Sequence, residues 1–346
     1  MVEQGLITAT INGRPVQVKP GTNVLEAARE LGIYVPTLCH HAALSPTGTC
    51  RLCAVEVLGM RGLPSSCHLP LEEGMVVATD SPRVQEFRRA TLASIVREHP
   101  SDCLACGENL RCELQQVVAH VGVEGKQGNP RKGELKEEGL FFSRDYNLCI
   151  RCGRCVRMCH EVRGNRAIYF LLDDKGLSVG TPLGQTLEEA GCRSCGACVD
   201  ICPTGALRTN TQRGLPDRVV PTICPYCGVG CQLQLEVKNG RIMQVVPDPA
   251  GPANHGQACV KGHYGIPEFV HSPARLTTPL IRREGELMPA SWDEALDLIS
   301  ARLASYKPEQ TAVITSAKCT NEDNFVLQKF ARSVLGTPNV DHCARL

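Results

Sequence analysis

The sequence predicts an α+β chain of several domains. Its 346 residues are enough for two or three domains of common size. Segments with the alternating pattern of β-strands are followed by separate segments with the spacing of amphipathic helices. The third observation is chemical, because most of the 21 cysteines fall into groups with close spacing. We therefore expect domains organised around cysteine-rich sites.

Charge and hydropathy exclude several classes of function. The 37 basic and 36 acidic residues balance, so there is no reason to expect nucleic acid or an anionic membrane as a partner. No apolar run reaches the roughly 18 residues of a membrane span. The opening MVEQGLITATINGRPV has neither a signal peptide nor a twin-arginine pair. A cytoplasmic protein is expected, and clustered cysteines in that compartment more often bind metal than form disulfides.

Residues 1–80 are predicted to form a small β-rich domain. Two alternating segments meet at Asn12-Gly13, a strong signal for a hairpin turn. A helix follows, with Thr22 or Asn23 as its N-cap and Gly32 as its stop. The segment RLCAVEVLG has the composition of a strand. The domain contains a first set of four cysteines, namely Cys39, Cys50, Cys53 and Cys67.

Residues 81–120 are predicted to form a second segment. Ser81-Pro82 begins a helix that runs to about Arg97, because proline is favoured in the first helical turn. This helix leads into one histidine and three cysteines, namely His99, Cys103, Cys106 and Cys112. Residues 121–143 are glycine-rich and charged, and they are predicted to be a surface linker.

Residues 144–212 contain an internal repeat with the cysteine spacing x2, x2, x3. Bacterial proteins with two iron–sulfur clusters have the spacing C-x2-C-x2-C-x3-C-P, and in them the fourth cysteine of each run binds the cluster of the other run. Pro203 completes the second copy, whereas His160 stands in its place in the first. The predicted ligand sets are Cys149, Cys152, Cys155 and Cys202 for one site, and Cys192, Cys195, Cys198 and Cys159 for the other.

Two further segments complete the chain. Residues 217–275 contain a hairpin at Asn239-Gly240 and a fifth set, Cys224, Cys227, Cys231 and Cys259. Residues 276–346 read as helix, strand, helix, strand, the pattern of an α/β domain with parallel strands. The capping box Ser291-x-x-Glu294 opens the first helix, whose apolar face is Trp292, Leu296, Ile299 and Leu303. The second helix is expected to end at Gly336, and the domain has too few strands to be complete.

Zinc is the simpler alternative for these sites, because it also binds Cys-x-x-Cys pairs. Zinc rarely requires three cysteines at these intervals followed by a fourth, so [4Fe–4S] clusters are favoured for the repeat. The first set departs from plant-type ferredoxin spacing by its ten-residue gap. A β-rich domain with one helix nevertheless favours a [2Fe–2S] centre there.

His99 would supply the fourth ligand that three following cysteines lack, and His120 is a competing candidate with poorer spacing. Cys319 and Cys343 lie outside every group and are expected to be ordinary buried thiols. The other 19 of the 21 cysteines, with His99, make 20 candidate ligands, four for each of five clusters.

The order of these sets resembles the N-terminal electron-transfer region shared by formate dehydrogenase alpha subunits, iron-only hydrogenases and the large subunit of complex I. In that region the set of one histidine and three cysteines binds a [4Fe–4S] cluster, which supports His99. The large subunit of complex I typically keeps one of the two ferredoxin-like clusters, whereas both sets are complete here. CPYCGVGC and ACVKGHYG resemble the opening of molybdopterin oxidoreductases, and within that group their sequences are most similar to formate dehydrogenases. TNEDNFVLQKFARSVLGT and NVDHCARL resemble later segments of the same family.

The resemblance implies five domains: a β-grasp [2Fe–2S] ferredoxin domain at 1–80, a one-His/three-Cys [4Fe–4S] segment at 81–120, a 2×[4Fe–4S] bacterial-ferredoxin-like domain at 144–212, a molybdopterin oxidoreductase [4Fe–4S] domain at 217–275, and the start of a molybdopterin α/β domain at 276–346. It implies oxidation of formate to CO2, or the reverse. Lys261 would relay electrons between a cluster and a pterin, and Asn321 and Glu322 resemble pterin-site residues. Expected partners are an FMN- and NAD-binding flavoprotein, a small [2Fe–2S] subunit and ferredoxin.

In formate dehydrogenases, the segment that resembles DHCARL precedes a metal-binding cysteine or selenocysteine and then a catalytic histidine. UGA encodes selenocysteine and is also read as a stop. We therefore expect the catalytic residue directly after Leu346, and bis-molybdopterin guanine dinucleotide with molybdenum or tungsten only in a longer subunit. The alternative is a non-catalytic relay subunit of an NADH dehydrogenase- or hydrogenase-like complex. A zinc-binding scaffold is a weaker third hypothesis.

Overall fold

The computed structural model describes residues 5–123, 136–173, 176–210 and 214–343. The chain divides into two compact units, Met1–Leu215 and Pro216–Leu346, and each is described by itself. The boundary falls where the sequence predicts that a new segment begins. Within the described ranges, no helix combines the length and the apolar character needed to cross a lipid bilayer.

The first unit opens with a small mixed sheet and one helix. Its elements are β1 (Ile7–Ile11), β2 (Arg14–Val18), α1 (Val24–Glu30), β3 (Glu56–Val57) and β4 (Val76–Ala78). β1 lies between the antiparallel β2 and the parallel β4, so the strand order is β2-β1-β4-β3. The predicted hairpin is confirmed, and both Asn12 and Gly13 adopt the left-handed backbone conformation that such a turn requires.

Helix α1 also begins as the sequence predicts. The Asn23 side chain accepts a hydrogen bond from the Glu26 N–H at 2.9 Å, and the Glu26 carboxylate accepts one from the Asn23 N–H. The helix packs on the sheet through one buried core, which includes Ile11, Val24, Leu25, Ala28, Val55 and Val77. A mixed sheet covered by one helix is the arrangement expected of a β-grasp domain.

The strand predicted over RLCAVEVLG is mostly wrong. Only Glu56–Val57 pairs as a strand, and Ala54 makes one isolated bridge to Ser65. Arg51 has a positive φ of 59°, and the Ala54 N–H donates back to the Arg51 carbonyl. The chain therefore turns around Cys53 before it straightens, since a cysteine-binding loop and an extended strand require different backbone conformations.

Two helices follow in the first unit, α2 (Pro82–Glu98) and α3 (Glu113–Val121). Helix α2 begins at Pro82 as predicted, and Ser81 caps it, because its side chain accepts a hydrogen bond from the Val84 N–H. Inside α2, the buried Arg88 donates one hydrogen bond of 2.9 Å to each of the carbonyls of Leu52 and Ala54. Helix α2 thus fixes the backbone on both sides of Cys53.

The repeat contains short elements around its cysteines. These are β5 (Lys136–Glu138), β6 (Phe142–Asp145), α4 (Arg154–Arg157) with its π-helical continuation (Met158–Val162), β7 (Tyr169–Asp173), β8 (Gly176–Gly180), α5 (Ala197–Asp200) and β9 (Leu207–Thr209). β5, β6 and β9 form an antiparallel sheet, and β7 and β8 form a hairpin.

The linker expected over residues 121–143 therefore needs correction. β5 lies inside that range, β6 begins within it, and the Phe142 side chain is only 4% exposed. Burial of the aromatic ring and pairing with β9 recruit this part into the repeat domain. Residues 124–135 of the predicted linker lie outside the described residues.

The second unit begins with an antiparallel sheet of three strands. Its elements are β10 (Arg218–Ile223), β11 (Gln232–Lys238), β12 (Arg241–Pro247), a π-helical turn (Lys261–Gly265) and α6 (Ile266–Val270). β11 lies between β10 and β12. The hairpin predicted at Asn239-Gly240 is confirmed as the β11–β12 connection.

The remaining elements are β13 (Leu280–Arg283), β14 (Glu286–Pro289), α7 (Trp292–Ala304), β15 (Val313–Thr315), α8 (Asn321–Ser333) and β16 (Val340–His342). Ser291 caps α7 by accepting a hydrogen bond from the Glu294 N–H, but the Glu294 carboxylate binds Arg283 rather than completing the predicted capping box. β15 pairs in parallel with β16. Helix α8 ends at Ser333, three residues before the expected stop. The apolar face expected on α7 is largely exposed, since Trp292 and Leu296 show 68% and 54% of their surface.

Replacement of Arg88 tests how the first cysteine loop is held. Arg88→Ala removes two hydrogen bonds from a buried cation and leaves two loop carbonyls without these donors. We expect the free energy of unfolding to fall by about 3 kcal/mol. The matched control is Arg89→Ala, because Arg89 is exposed and donates a hydrogen bond to Gln85 on the same helix. Equal thermal denaturation midpoints for the two variants would contradict this role.

Candidate metal centres

The first cysteine set is brought together within the β-rich domain. Cys39, Cys53 and Cys67 are buried, and Cys50 is half-buried. The Cys50 N–H donates to the Cys39 Sγ at 3.4 Å, and the Sγ atoms of Cys53 and Cys67 are 3.5 Å apart. The four predicted residues therefore form two close pairs within one domain.

The two pairs are also close enough to interact electrostatically. Hydrogen bonding between the thiols lowers the pKa of Cys53 to about 6 and raises the pKa of Cys67. The negative charge of Cys39 adds a smaller upward contribution to both pKa values. The pKa of Cys39 itself is lowered to about 5, chiefly by a hydrogen bond from the Cys50 thiol. Such polarised sulfurs are suitable ligands for iron or another thiophilic metal.

The second site is a cavity between α2, α3 and the loop that joins them. Its volume is about 180 Å³, and all four predicted residues line it, namely His99, Cys103, Cys106 and Cys112. Burial raises the pKa of the Cys112 thiol to about 11. His120 is exposed on α3, lies edge-on to the Tyr34 ring at 4.6 Å, and is not part of the cavity lining. The geometry thus favours His99 over its competitor.

The repeat brings its cysteines together in the exchanged pattern. Cys149, Cys152, Cys155 and Cys202 line one narrow cavity, although Cys202 belongs to the second copy. Burial raises the pKa of Cys152 to about 12 and also raises the pKa values of Cys155 and Cys202.

Cys159 has the reciprocal position in the second copy. Burial raises the pKa of Cys198, and the negative charges of Cys195, Cys192 and Cys159 raise it further. Two backbone groups also point at sulfurs here, because Ala167 N–H donates to Cys159 Sγ at 3.2 Å and Ser194 N–H donates to Cys192 Sγ at 3.4 Å. The fourth cysteine of each run therefore lies with the other run, as the spacing predicts.

The histidine cavity and the repeat share a boundary. The Leu114 N–H donates to the Pro203 carbonyl at 3.2 Å, directly after Cys202. A Cβ atom on Gly205 would lie 3.1 Å from the Cys106 Sγ, so glycine permits the close approach of this turn to the cavity. The two candidate sites are consequently neighbours in the first unit.

An ion pair that the sequence analysis missed spans this boundary. Arg154 is only 3% exposed and binds both carboxylate oxygens of Glu113, at 2.6 and 2.9 Å. Its guanidinium also donates to the Ile201 carbonyl. Glu113 follows Cys112 and Ile201 precedes Cys202, so one buried cation joins segments of two sites. No sequence signal distinguishes this arginine from its half-buried neighbours Arg151 and Arg157.

The fifth set lies in the second unit. Burial raises the pKa of Cys224, and the negative charges of Cys231, Cys259 and Cys227 raise it further, so the four thiols are neighbours. Cys224 is buried, whereas Cys259 is exposed. Lys261 is also exposed and begins the π-helical turn that follows.

The remaining predicted residues lie near β15 and β16. Asn321 lines a groove of about 610 Å³ beside Asp341 and His342, whereas Glu322 is exposed and lies outside the groove lining. The expectation that both ungrouped thiols are buried is wrong, because Cys343 is exposed after the last strand and Cys319 is half-buried. The expected catalytic position after Leu346 is beyond the described residues.

Within the described ranges, no group of three or more His, Cys, Asp or Glu side chains converges on a single-ion position. The predicted donor sets, four thiols or three thiols and an imidazole, fit iron–sulfur ligation, although zinc takes the same donors.

Five family models match consecutive parts of the chain. Their descriptions and matched residues are a 2Fe-2S iron-sulfur cluster binding domain (4–82), the NADH-ubiquinone oxidoreductase-G iron-sulfur binding region (88–127), the NADH-quinone oxidoreductase subunit 3 ferredoxin-like domain (139–208), the Molybdopterin oxidoreductase Fe4S4 domain (217–271) and Molybdopterin oxidoreductase (275–346).

Curated relatives match nearly the whole chain. An NADH-quinone oxidoreductase subunit of Rhizobium meliloti is 37% identical over 98% of this chain and 40% of its own length. NADPH-Fe(3+) oxidoreductase subunit alpha of Geobacter sulfurreducens is 33% identical over 99% of this chain and 40% of its length. A Staphylococcus aureus protein whose name proposes a formate dehydrogenase is 31% identical over 98% of this chain and 39% of its length. The chain thus spans about two fifths of these relatives.

One solved structure is also similar to this chain. A chain of an NAD+-reducing [NiFe]-hydrogenase in the H2-reduced state aligns with a TM-score of 0.53 and 28% identity, over 59% of this chain and 87% of that chain. Residues 217–346 therefore match molybdopterin oxidoreductase models, and the residues before them match iron–sulfur domains like those of the NADH-quinone oxidoreductases.

Proposed function

We propose that this iron–sulfur electron-transfer region serves a formate dehydrogenase catalytic subunit. The observation that carries the proposal is the pairing of two complete cysteine sets in the repeat, each with the fourth cysteine of the other run. A large subunit of complex I would typically keep one such set. The Staphylococcus relative and the similarity of the segment CPYCGVGC to formate dehydrogenases support the same assignment.

The proposed cofactors follow from the five donor sets. The first set would bind one [2Fe–2S] cluster, and the other four sets would each bind a [4Fe–4S] cluster. When bound, such clusters supply one-electron transfer at potentials that depend on charge, hydrogen bonds to sulfur and solvent exposure. The protein contributes full or partial burial of most of the candidate cysteines, and backbone N–H groups that point at several of the sulfurs.

The second unit is proposed to hold part of a pterin site. Asn321 stands at the N-terminus of α8, where backbone N–H groups favour anionic groups. The groove that it lines lies beside the carboxyl end of β15, a common ligand position in parallel α/β sheets. Bis-molybdopterin guanine dinucleotide with molybdenum or tungsten is proposed for the full-length protein, and Glu322 remains a weaker candidate for contact with it.

A relay subunit without formate chemistry is the second candidate function. It is favoured by the Rhizobium relative and by the NAD+-reducing hydrogenase structure. For both candidate functions, the proposed partners are a nicotinamide-linked flavoprotein, a small [2Fe–2S] subunit and ferredoxin. They differ in whether electrons originate from formate or only pass through the chain.

Metal analysis combined with reductant choice separates the two functions. In the native complex, kept anaerobic, we expect molybdenum or tungsten together with bleaching of cluster absorbance by formate. NADH should reduce the same clusters through the partner subunits. A complex that contains iron but neither metal, and that responds to NADH and not to formate, would establish the relay function instead.

Lys261→Ala tests the proposed relay residue in the same complex. Lys261 follows Cys259 by two residues and is not a ligand, so iron content should not change. Formate-dependent reduction of the clusters should become slower in single-turnover measurements, because a cation between cluster and pterin is lost. Lys329→Ala is the control, since Lys329 is exposed on α8 and outside the groove lining. Equal rates for both variants would remove the proposed role.

His99→Ala and His120→Ala form a matched pair for the histidine site. His99→Ala should lose the iron of one cluster, about four atoms per chain. His120→Ala should keep the full iron content, because that ring is exposed and outside the cavity. Iron and sulfide determination on anaerobically purified variants makes the comparison. Loss of iron in the His120 variant alone would reverse the assignment.

A further inference from the structure

The loop after Cys39 is held by the helix that connects two other candidate sites. Arg157, the last residue of α4, donates hydrogen bonds to the carbonyls of Cys39 and Ser45, the latter at 2.6 Å. Glu161, one turn later, accepts a hydrogen bond of 2.9 Å from the Ser45 N–H. Both backbone groups of Ser45 are therefore bound by one helical segment.

Apolar packing completes the attachment of this loop. Leu44 is only 6% exposed and belongs to a small core with Met158, Ala197 and Ile201. Met158 directly follows Arg157, and Ala197 and Ile201 lie in and after α5 of the second copy. The loop is thus positioned by polar contacts on one side and by a buried side chain on the other.

The place of Arg157 in the sequence gives these contacts a consequence for electron transfer. Arg157 lies two residues after Cys155 and two residues before Cys159. These cysteines fall in different sites of the repeat, and the Arg157 side chain reaches the Cys39 carbonyl of a third site. Arg157 therefore adjoins ligands of two candidate clusters in the sequence and contacts a ligand residue of a third through its side chain.

The charge of Arg157 is permanent, because a guanidinium is not deprotonated in proteins. Reduction adds negative charge to a cluster, so a nearby fixed cation favours the reduced form and raises the reduction potential. Arg157 is half-buried, which limits screening of its charge by solvent and salt. Glu161 contacts the loop six residues beyond Cys39, so the cation is the charge nearer to the ligand backbone.

We propose that Arg157 is a positioning residue that docks the Cys39 loop onto the two-cluster domain and raises the reduction potential of the cluster held by Cys39, Cys50, Cys53 and Cys67. The inference rests on the proposed function, because it requires that the first set binds a [2Fe–2S] cluster. One side chain would thus both position the Cys39 loop against the repeat and raise the reduction potential of the first cluster.

Redox titration monitored by electron paramagnetic resonance, on the intact complex, tests the electronic part. Arg157→Gln keeps a side-chain donor for the Cys39 carbonyl but removes the charge. We expect the midpoint potential of the [2Fe–2S] signal to shift to a more negative value, with smaller shifts for the four-iron signals. Arg157→Lys keeps the charge and should restore the wild-type potential. An unchanged potential in Arg157→Gln, or equal shifts of every cluster, would overturn the proposal.

Two further variants separate charge from loosening of the loop. Glu161→Gln keeps an acceptor for the Ser45 N–H and removes a negative charge, so the potential should stay constant or rise. A fall as large as that in Arg157→Gln would show that loop disorder alone explains the shift. If Arg157→Gln loses the cluster, Arg157→Lys decides: retention of cluster and potential supports the role of the charge, and loss contradicts it.

Failure of this inference differs from failure of the proposed function. A wild-type complex without any [2Fe–2S] signal would refute the assignment of the first site. A wild-type complex with that signal, whose potential does not respond to Arg157→Gln, would refute only the role of Arg157.

Discussion

The structure depends on one constraint, which is that four metal-binding side chains must meet at each candidate site, although in the repeat they come from two separate runs of the chain. The repeat meets this constraint by exchange, since Cys202 joins the first run and Cys159 joins the second. Burial raises the pKa values of most of these thiols. Metal binding requires thiolates, so it must release protons and is coupled to folding of the surrounding loops.

Buried and half-buried arginines provide the second layer of organisation. Arg88 binds two carbonyls around Cys53, Arg154 joins the histidine site to the Cys202 segment, and Arg157 joins the repeat to the Cys39 loop. Arginine suits these positions because its planar fork can bind two acceptors at once and keeps its charge when buried. These hydrogen bonds thereby connect the short cysteine-bearing segments of the first unit to one another.

Much of this arrangement follows from short-range sequence signals. Cysteine spacing predicts the grouping of donors, and both Asn-Gly turns and the helix starts at Asn23, Ser81 and Ser291 appear where expected. Local patterns fail where tertiary contacts decide the conformation. The RLCAVEVLG segment has strand composition but turns around Cys53, and part of the expected linker becomes β5 and β6 because it pairs with β9. The roles of Arg88, Arg154 and Arg157 depend on contacts 34 to 118 residues apart, which spacing alone does not encode.

The most direct test of the account is Mössbauer spectroscopy of the 57Fe-enriched native protein, with chemical determination of iron and sulfide. One two-iron and four four-iron clusters predict about 18 irons per chain and about as many sulfides. About one ninth of the spectral area should then belong to the two-iron cluster. An iron content near four accompanied by zinc, or a spectrum without a two-iron component, would contradict the assignment of the five donor sets.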